Sequence, residues 1–323
     1  MKVQTMAGFD SQKFVEEAVQ QVKGAVGTST AVIGASGGVD STVAAAIGAR
    51  ALGHQLTAVF VDTGLLRKGE PAQAEAMLGG LGLRLVHAKA APEFIEALKG
   101  VTDPEAKRLA IGEKFVRVFE REAEKTGAKF LMQGTIAPDW IESGGGPRDT
   151  IKSHHNVGGL PADLKLSVVE PLRDLYKDEV RKVARHLGLA VAERQPFPGP
   201  GLAVRCLGEC TPERVEIVRE ACAIVEEEID KAVAAGTMEA PWQYFAALLP
   251  VKSVGVHGDL RAYGETVVVR AVHSIDGMSA AYSKVPHETL DRISVRITNT
   301  LKRSVNRVVY DISNKPPATV EWE

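Results

Sequence analysis

The stretch AVIGASGGVDSTVAAAIGARALG, from Ala31 to Gly53, decides the fold. It opens on an apolar run of the kind seen in a fully buried parallel strand. It turns on Gly37 and Gly38 and passes at once into a helical pattern from about Ser41 to Leu52. A strand-to-helix turn leaves unpaired N–H groups at the helix N-terminus, which favour an anion by hydrogen bonding and by the helix dipole. Gly37 and Gly38 let the backbone approach such a ligand closely, and Ser36, Ser41 and Thr42 add hydroxyl donors. An ordinary phosphate loop would continue with a lysine that serves the β- and γ-phosphates. Here no lysine follows, and the one charged residue of ASGGVDST is Asp40. A carboxylate beside phosphate oxygens repels them unless a cation lies between. Asp40 therefore reads as a Mg²⁺ ligand, since that ion takes one or two carboxylates together with phosphate oxygens. The competing reading is a plain glycine turn in which Asp40 caps the helix.

Working outward, two periods alternate. FVEEAVQQVKGAV carries Phe14, Val15, Ala18, Val19, Val22 and Val26 at helical spacing before the first strand. LTAVFVDT follows as a second strand, a helix near Ala72–Leu81 precedes a third strand at LRLVHA, and a helix over roughly Pro104–Lys125 precedes a fourth at KFLMQGT. Strands alternating with helices predict right-handed crossovers and a doubly wound parallel sheet, an α/β fold. From Asp139 to Lys165 the chain turns polar and glycine-rich, with SGGGPRD and HHNVGG; so long a loop reads as a lid or a linker. LYKDEVRKVARHLG then predicts a helix with Asp174 as N-cap and Gly188 as stop.

RQPFPGPGL places the domain boundary at about residue 202, and the remainder, 203–323, reads as a smaller α+β domain. Thr211–Pro212 starts a helix with Val215, Val218, Cys222, Val225 and Ile229 as its stripe. Strands are expected around YFAALLPV, SVGVHG and TVVVRAV, then a helix with Leu290, Ile293, Ile297 and Leu301, and RVVYDIS and ATVEWE complete the sequence.

The 323 residues are 45% hydrophobic and 25% charged, with a formal net charge of −2, which gives no broad basic surface for nucleic acid. Cys206, Cys210 and Cys222 form no CxxC pair and suit neither a disulfide framework nor a zinc site. No secretory signal or long apolar span is present, and a cytoplasmic, membrane-free protein is expected.

The string SGGVDST resembles the signature of the ATP pyrophosphatase superfamily. The resemblance implies that the loop holds the β,γ-pyrophosphate of ATP and that the α–β bond is cleaved, adenylating a substrate oxygen. FVDTGLLRKGE, QGTIAPDWIES, IKSHHNVGGLP, EPLRDLYKDEVRKVARHLGL, PFPGPGLAVRCLGE and SVNRVVYDISNKPPATVEWE together resemble the GMP synthetase family over essentially the whole chain. That implies adenylation of XMP on its 2-oxygen, then displacement of AMP by ammonia. Glutamine-using members carry an amidotransferase domain with a nucleophilic cysteine. None of the three cysteines here has that context, so ammonia is expected from a separate glutaminase subunit or from solution. A tRNA-thiolating relative would need an active cysteine or zinc pair and a basic surface, and a non-catalytic nucleotide-binding subunit would not need loop, lid and tail together.

By resemblance, ATP is bound by Ser36, Gly37, Gly38, Val39, Asp40, Ser41 and Thr42, with Val61, Asp62, Gln133, Gly134 and Thr135 at the carboxyl ends of the second and fourth strands. The other readings are an Asx turn at Asp62 and a core-facing Gln133. Asp139, Glu142, Lys152, His154, His155 and Asn156 would belong to a lid that excludes water, with Lys152 and the histidines stabilising charge on the α-phosphoryl group. Lys177 and Asp178, otherwise solvated first-turn residues, become partners of the lid or of ATP. Arg108 resembles an XMP-side arginine, against a plain surface charge. Pro198, Gly199 and Pro200 resemble the XMP-base contact, and Lys315, Thr319, Val320 and Glu321 the motif for its phosphate and ribose, on a tail expected to be pinned by its neighbours. The family's second domain forms a homodimer. Thr63 departs from the family's common DNGLLR and puts an asparagine contact there in doubt.

Overall fold

The computed structural model describes residues 9–138, 166–257, 259–275 and 277–323. They fall into two compact units, one drawn from Met1–Asp62, Glu70–Ala90 and Gly112–Arg194, the other from Thr63–Gly69, Ala91–Ile111 and Gln195–Glu323.

The first unit is built on a five-stranded sheet of order β3-β2-β1-β4-β5, with β1 at Ala31–Ala35, β2 at Leu56–Asp62, β3 at Arg84–Lys89, β4 at Phe130–Met132 and β5 at Ser167–Val169. Every pairing is parallel. Helix α1 (Ser11–Val26) starts where the Asp10 carboxylate accepts from the amides of Gln12 and Lys13 at 3.0 and 3.1 Å, and it buries Val15, Ala18, Val22 and Val26. Helix α2 (Val39–Leu52) links β1 to β2, and α3 (Glu70–Gly80) links β2 to β3. Val32, Ile33, Val59 and Phe60 of the central strands have no exposed surface, as expected for a sheet covered on both faces. Burying each such side chain contributes roughly 1.5–3 kcal/mol.

The second unit has a four-stranded sheet. Strand β6 (Gln243–His257) pairs antiparallel with β7 (Leu260–His273), and β7 also pairs antiparallel with β8 (Ala281–Tyr282) and parallel with β9 (Val305–Tyr310). Helix α4 (Ala91–Ala97) belongs to this unit, and α5 (Pro104–Glu124) contributes its residues up to Ile111. Between α5 and the second unit's long helix comes α6 (Lys177–His186), a first-unit helix. Helix α7 (Pro212–Ala234) begins with the Thr211 hydroxyl accepting from the Arg214 amide, and all five residues of its expected stripe are buried. Helix α8 (His287–Thr300) buries Ile293 and Ile297.

The α/β reading holds, with local corrections. The N-cap of α6 is Tyr176, not Asp174. The Leu175 amide bonds back to the Leu172 carbonyl at 2.9 Å, enclosing Asp174 in a tight turn, and the Glu179 carboxylate accepts from the Tyr176 amide at 2.9 Å. The two strands expected at YFAALLPV and SVGVHG are one, because Pro250 sits in the register shift between Leu249 and Lys252. A proline without a ladder donor is tolerated at such an irregularity. Helix α4 and β5 were not expected.

Candidate active site

In the order β3-β2-β1-β4-β5 the chain runs outward from β1 on one side, then crosses over to continue on the other. The switch point lies between β1 and β4, and a doubly wound sheet binds its ligand in the crevice outside the carboxyl ends there. Both halves of the expected ATP site lie at those ends. Ser36 to Thr42 follow β1, and Gln133, Gly134 and Thr135 follow β4.

Gly37 is buried with φ +75°, a left-handed conformation open to glycine at little cost, and Gly38 is the N-cap of α2. The Gly38 carbonyl accepts from the Thr42 hydroxyl at 2.7 Å, the Thr42 amide at 3.1 Å and the Ser41 hydroxyl at 3.2 Å. The Ser36 and Ser41 hydroxyls lie 3.0 Å apart, so this turn is wired to present hydroxyls and first-turn amides together. Asp40 does not cap the helix, since the cap residue Gly38 precedes it.

Gly134 shows how tightly the other side closes. A Cβ there would lie 2.8 Å from the carbonyl carbon and 2.9 Å from the carbonyl oxygen of Asp40, and 2.9 Å from the Ser41 nitrogen. Only a residue without a side chain lets β4 end against the first turn of α2. Gln133 is half-buried rather than in the core, and its backbone N–H donates to the Val169 carbonyl at 3.0 Å. Val61 is buried in register with Ala88. Asp62 accepts the Ala90 amide on its carbonyl at 3.0 Å, and its carboxylate lies 3.9 Å from His87 Nε2. The other ring nitrogen of His87 bonds to Glu75.

The lysine absent from the loop arrives from a distance. Lys177 opens α6 and donates from Nζ to Asp40 Oδ2 at 2.5 Å. Its neighbour Asp178 is exposed and pairs with Lys182 at 3.1 Å. The second Asp40 oxygen, Oδ1, is buried and accepts no hydrogen bond from any described residue. A buried carboxylate oxygen without a donor is costly, and a carboxylate oxygen is the hard donor that a Mg²⁺ ion selects. These residues fit the ion.

Two residues were invisible to pattern reading. Arg194 donates from Nη1 to the Gly37 carbonyl at 3.2 Å and from Nη2 to Glu70 Oε1 at 2.8 Å, with the Glu70 side chain 5% exposed. Arg194 opens the proline-rich run that reads as a linker, and nothing in its spacing signals contact with a loop 157 residues earlier.

Every residue expected to contact XMP falls in the second unit. Arg108 is paired with Glu105 at 3.3 Å, one turn away. Pro198–Gly199–Pro200 forms a tight turn closed by the Gly201 amide on the Pro198 carbonyl at 2.9 Å. Lys315 donates to the Gly277 carbonyl at 2.7 Å, and the Thr319 hydroxyl to the Glu321 carbonyl at 2.6 Å. The tail is held by three buried cations that sequence reading passed over. Arg270 bonds the carbonyls of Val320 and Thr319, each at 2.8 Å, and Asp311 at 2.7 Å. Arg205 takes both oxygens of Glu321, at 3.1 and 2.9 Å, and Gln243 donates to the same carboxylate at 2.7 Å. Burial works against the Arg205 charge, but Glu321 outweighs it and the guanidinium pKa is raised. Lys107, with no exposed side-chain surface, bonds Glu323 and the carbonyls of Cys206 and Ala203. Asp139, Glu142, Lys152, His154, His155 and Asn156 lie outside the described residues.

A strand, a glycine turn and a helix at the switch point of a parallel sheet define the class: a doubly wound α/β protein. A family model described as NAD synthase matches residues 10–118, and one described as GMP synthase C terminal domain matches 228–322. A subunit of the glutamine-hydrolyzing GMP synthase of Methanopyrus kandleri is 60% identical over 318 residues, covering 98% of this chain and 100% of that protein. Its counterpart in Pyrococcus furiosus is 57% identical, covering 97% of each. The longer glutamine-hydrolyzing GMP synthase of Clostridium tetani is 53% identical over 96% of this chain, which spans 61% of that protein. The chain belongs to the GMP synthase family.

Proposed function

We propose that this chain is a carbon–nitrogen ligase that makes GMP from XMP, ATP and ammonia. The observation that supports this best is the loop at the β1/β4 switch point, with its bare Asp40 oxygen, in a chain of this family. The amides of α2's first turn and the hydroxyls of Ser36 and Ser41 bind the β,γ-pyrophosphate, the leaving group when the XMP 2-oxygen attacks the α-phosphorus, and Thr42 braces the turn through its hydroxyl on the Gly38 carbonyl. Asp40 would hold Mg²⁺, and the ion would supply positive charge against the phosphate oxygens. Val61, Asp62 and Gln133–Thr135 line the adenosine side. Lys177 carries a mobile positive charge to the phosphates, and Asp178 beside it is a partner of the lid or of ATP.

Lys315, Thr319, Val320 and Glu321 hold XMP's phosphate and ribose, with Pro198, Gly199 and Pro200 at its base and Arg108 beside them. Arg205, Arg270 and Lys107 fix that tail before substrate arrives, which lowers the ordering cost of binding. A separate glutaminase subunit supplies ammonia. Two copies associate through exposed apolar residues of the β6–β7 hairpin, among them Val254, Val256, Leu260 and Tyr263. The domains divide near residue 202, into an ATP pyrophosphatase part and a dimerisation part, and the protein works in the cytoplasm.

The test is incubation of purified chain with ATP, Mg²⁺, XMP and ammonium, following AMP, pyrophosphate and GMP. Pyrophosphate release that does not depend on XMP, or products ADP and orthophosphate, would overturn the proposal. Asp40→Ala is expected to abolish pyrophosphate release, and an active variant would remove the metal assignment.

A further inference from the structure

We propose that Arg194, braced by Glu70, is a positioning residue that holds the Gly37–Gly38 peptide in its anion-binding orientation; this rests on reading the loop as the pyrophosphate site. A peptide unit flanked by two glycines is the one in the loop that rotates at least steric cost. Rotation would turn a carbonyl oxygen to where an amide should face, and an acceptor there repels phosphate. The peptide is trans, so its carbonyl and its N–H point in opposite directions. Arg194 Nη1 holds the Gly37 carbonyl at 3.2 Å, and the Gly38 N–H consequently points away from Arg194, towards the Ser36 hydroxyl at 3.4 Å. That contact is long, which leaves the amide able to serve a better acceptor.

The guanidinium is itself aimed. Its second arm is tied at 2.8 Å to Glu70, a nearly buried carboxylate on α3, so its fork spans loop and helix at once. A Cβ on Gly37 would come within 4.0 Å of that same Glu70 oxygen, so loop, arginine and carboxylate form one packed cluster. The backbone that carries Arg194 is fixed as well. Arg181 of α6 donates to the Ala192 carbonyl at 2.5 Å and to the Arg194 carbonyl at 3.4 Å. With its charge matched by Glu70, Arg194 acts on the loop's shape rather than as a phosphate ligand. A lysine cannot replace it, because one ammonium lacks the two-armed fork.

Calorimetric titration with inorganic pyrophosphate and Mg²⁺ tests this on the full chain. Arg194→Ala is expected to weaken pyrophosphate binding and to raise the KM for ATP, each about tenfold, the loss of one charge-assisted hydrogen bond, with the KM for XMP unchanged. Arg194→Lys should not restore either value. Glu70→Ala should resemble Arg194→Ala, whereas Glu70→Gln, whose amide oxygen still accepts from Nη2, should stay near wild type. Arg194→Ala/Glu70→Ala should be no worse than Arg194→Ala alone, since the two act as a unit. Thermal unfolding identifies any variant that fails to fold, and the Glu70→Gln and Arg194→Lys pair then carries the comparison. Gly37→Val tests the underlying loop reading: if it binds pyrophosphate like wild type, that reading fails. If it loses binding while Arg194→Ala or Glu70→Ala keeps wild-type affinity, only the positioning role is overturned. Additive losses in the double variant also overturn it.

Discussion

Gly134→Ala adds a single methyl group at the place where β4 meets the phosphate loop. The new carbon would stand 2.8 Å from the Asp40 carbonyl carbon, 2.9 Å from the Asp40 oxygen and 2.9 Å from the Ser41 nitrogen. Non-bonded carbon atoms settle at roughly 3.5–4.0 Å, so one of the two backbones has to move by about half an ångström or more. All three obstacles are main-chain atoms, and no rotamer change relieves them. Overpacking of this kind costs about 1–3 kcal/mol. On the proposed reading the first turn of α2 supplies the donors for phosphate, and the Asp40 carbonyl lies within it, so displacement there is expected to weaken ATP binding about tenfold. Denaturant unfolding measures the strain, and calorimetric titration with ATP and Mg²⁺ measures the displacement. Lower stability with unchanged ATP affinity would mean that β4 yields instead of the loop. Unchanged stability and affinity would refute the close approach altogether.

Three further outcomes test the second unit. Lys107→Met leaves the Glu323 carboxylate and two carbonyls without their shared cation, and about 3–5 kcal/mol of stability should be lost; an unchanged unfolding midpoint would contradict the assigned pairing. Lys315→Ala should raise the KM for XMP with little effect on kcat, because a phosphate anchor serves ground and transition states alike; an unchanged KM removes Lys315 from the phosphate site. Burial raises the pKa of Glu228, but hydrogen bonds from Lys231, Arg296 and Arg292 prevail and bring it down to about 2 from 4.5. A carboxylate with a depressed folded pKa stabilises the protein above its unfolded pKa and loses that contribution as pH falls towards the folded one. The stability gap between wild type and Glu228→Gln should therefore narrow from pH 4.5 down to 2, and a gap constant across that range would refute the pairing.

The parts of this fold that show in the sequence are those written in local periodicity. The stripe of α7, the apolar runs of β1 and β2 and the glycine turn between β1 and α2 each declare themselves within a few residues. Short or irregular pieces do not. Three-residue β5 is too brief for any period to emerge, and Pro250 reads as a break because its sequence neighbours cannot show that it lies at a register shift. Long-range polar contacts leave no local trace either. Lys107 is adjacent to the arginine singled out by resemblance, yet it is the fully buried one, tied to a carboxylate 216 residues away.

The same distinction explains the lysine-free loop. Judged locally, an aspartate in a phosphate turn is an uncompensated negative charge. In the fold, Asp40 faces Lys177 and Glu70 faces Arg194, so these four charges around the turn cancel. On the proposed reading, a turn so balanced would bind a highly charged diphosphate through amides and hydroxyls, and the remaining negative charge would be met by a cation that arrives with the ligand. Lys177 is more exposed than its partner, 52% against 25%, and is the side chain of this pair that is freer to shift from Asp40 towards the phosphates. Arg194, tied at both arms, is not. The two cations are thus suited to different work: one to follow the ligand's charge, the other to keep the loop's donors facing it.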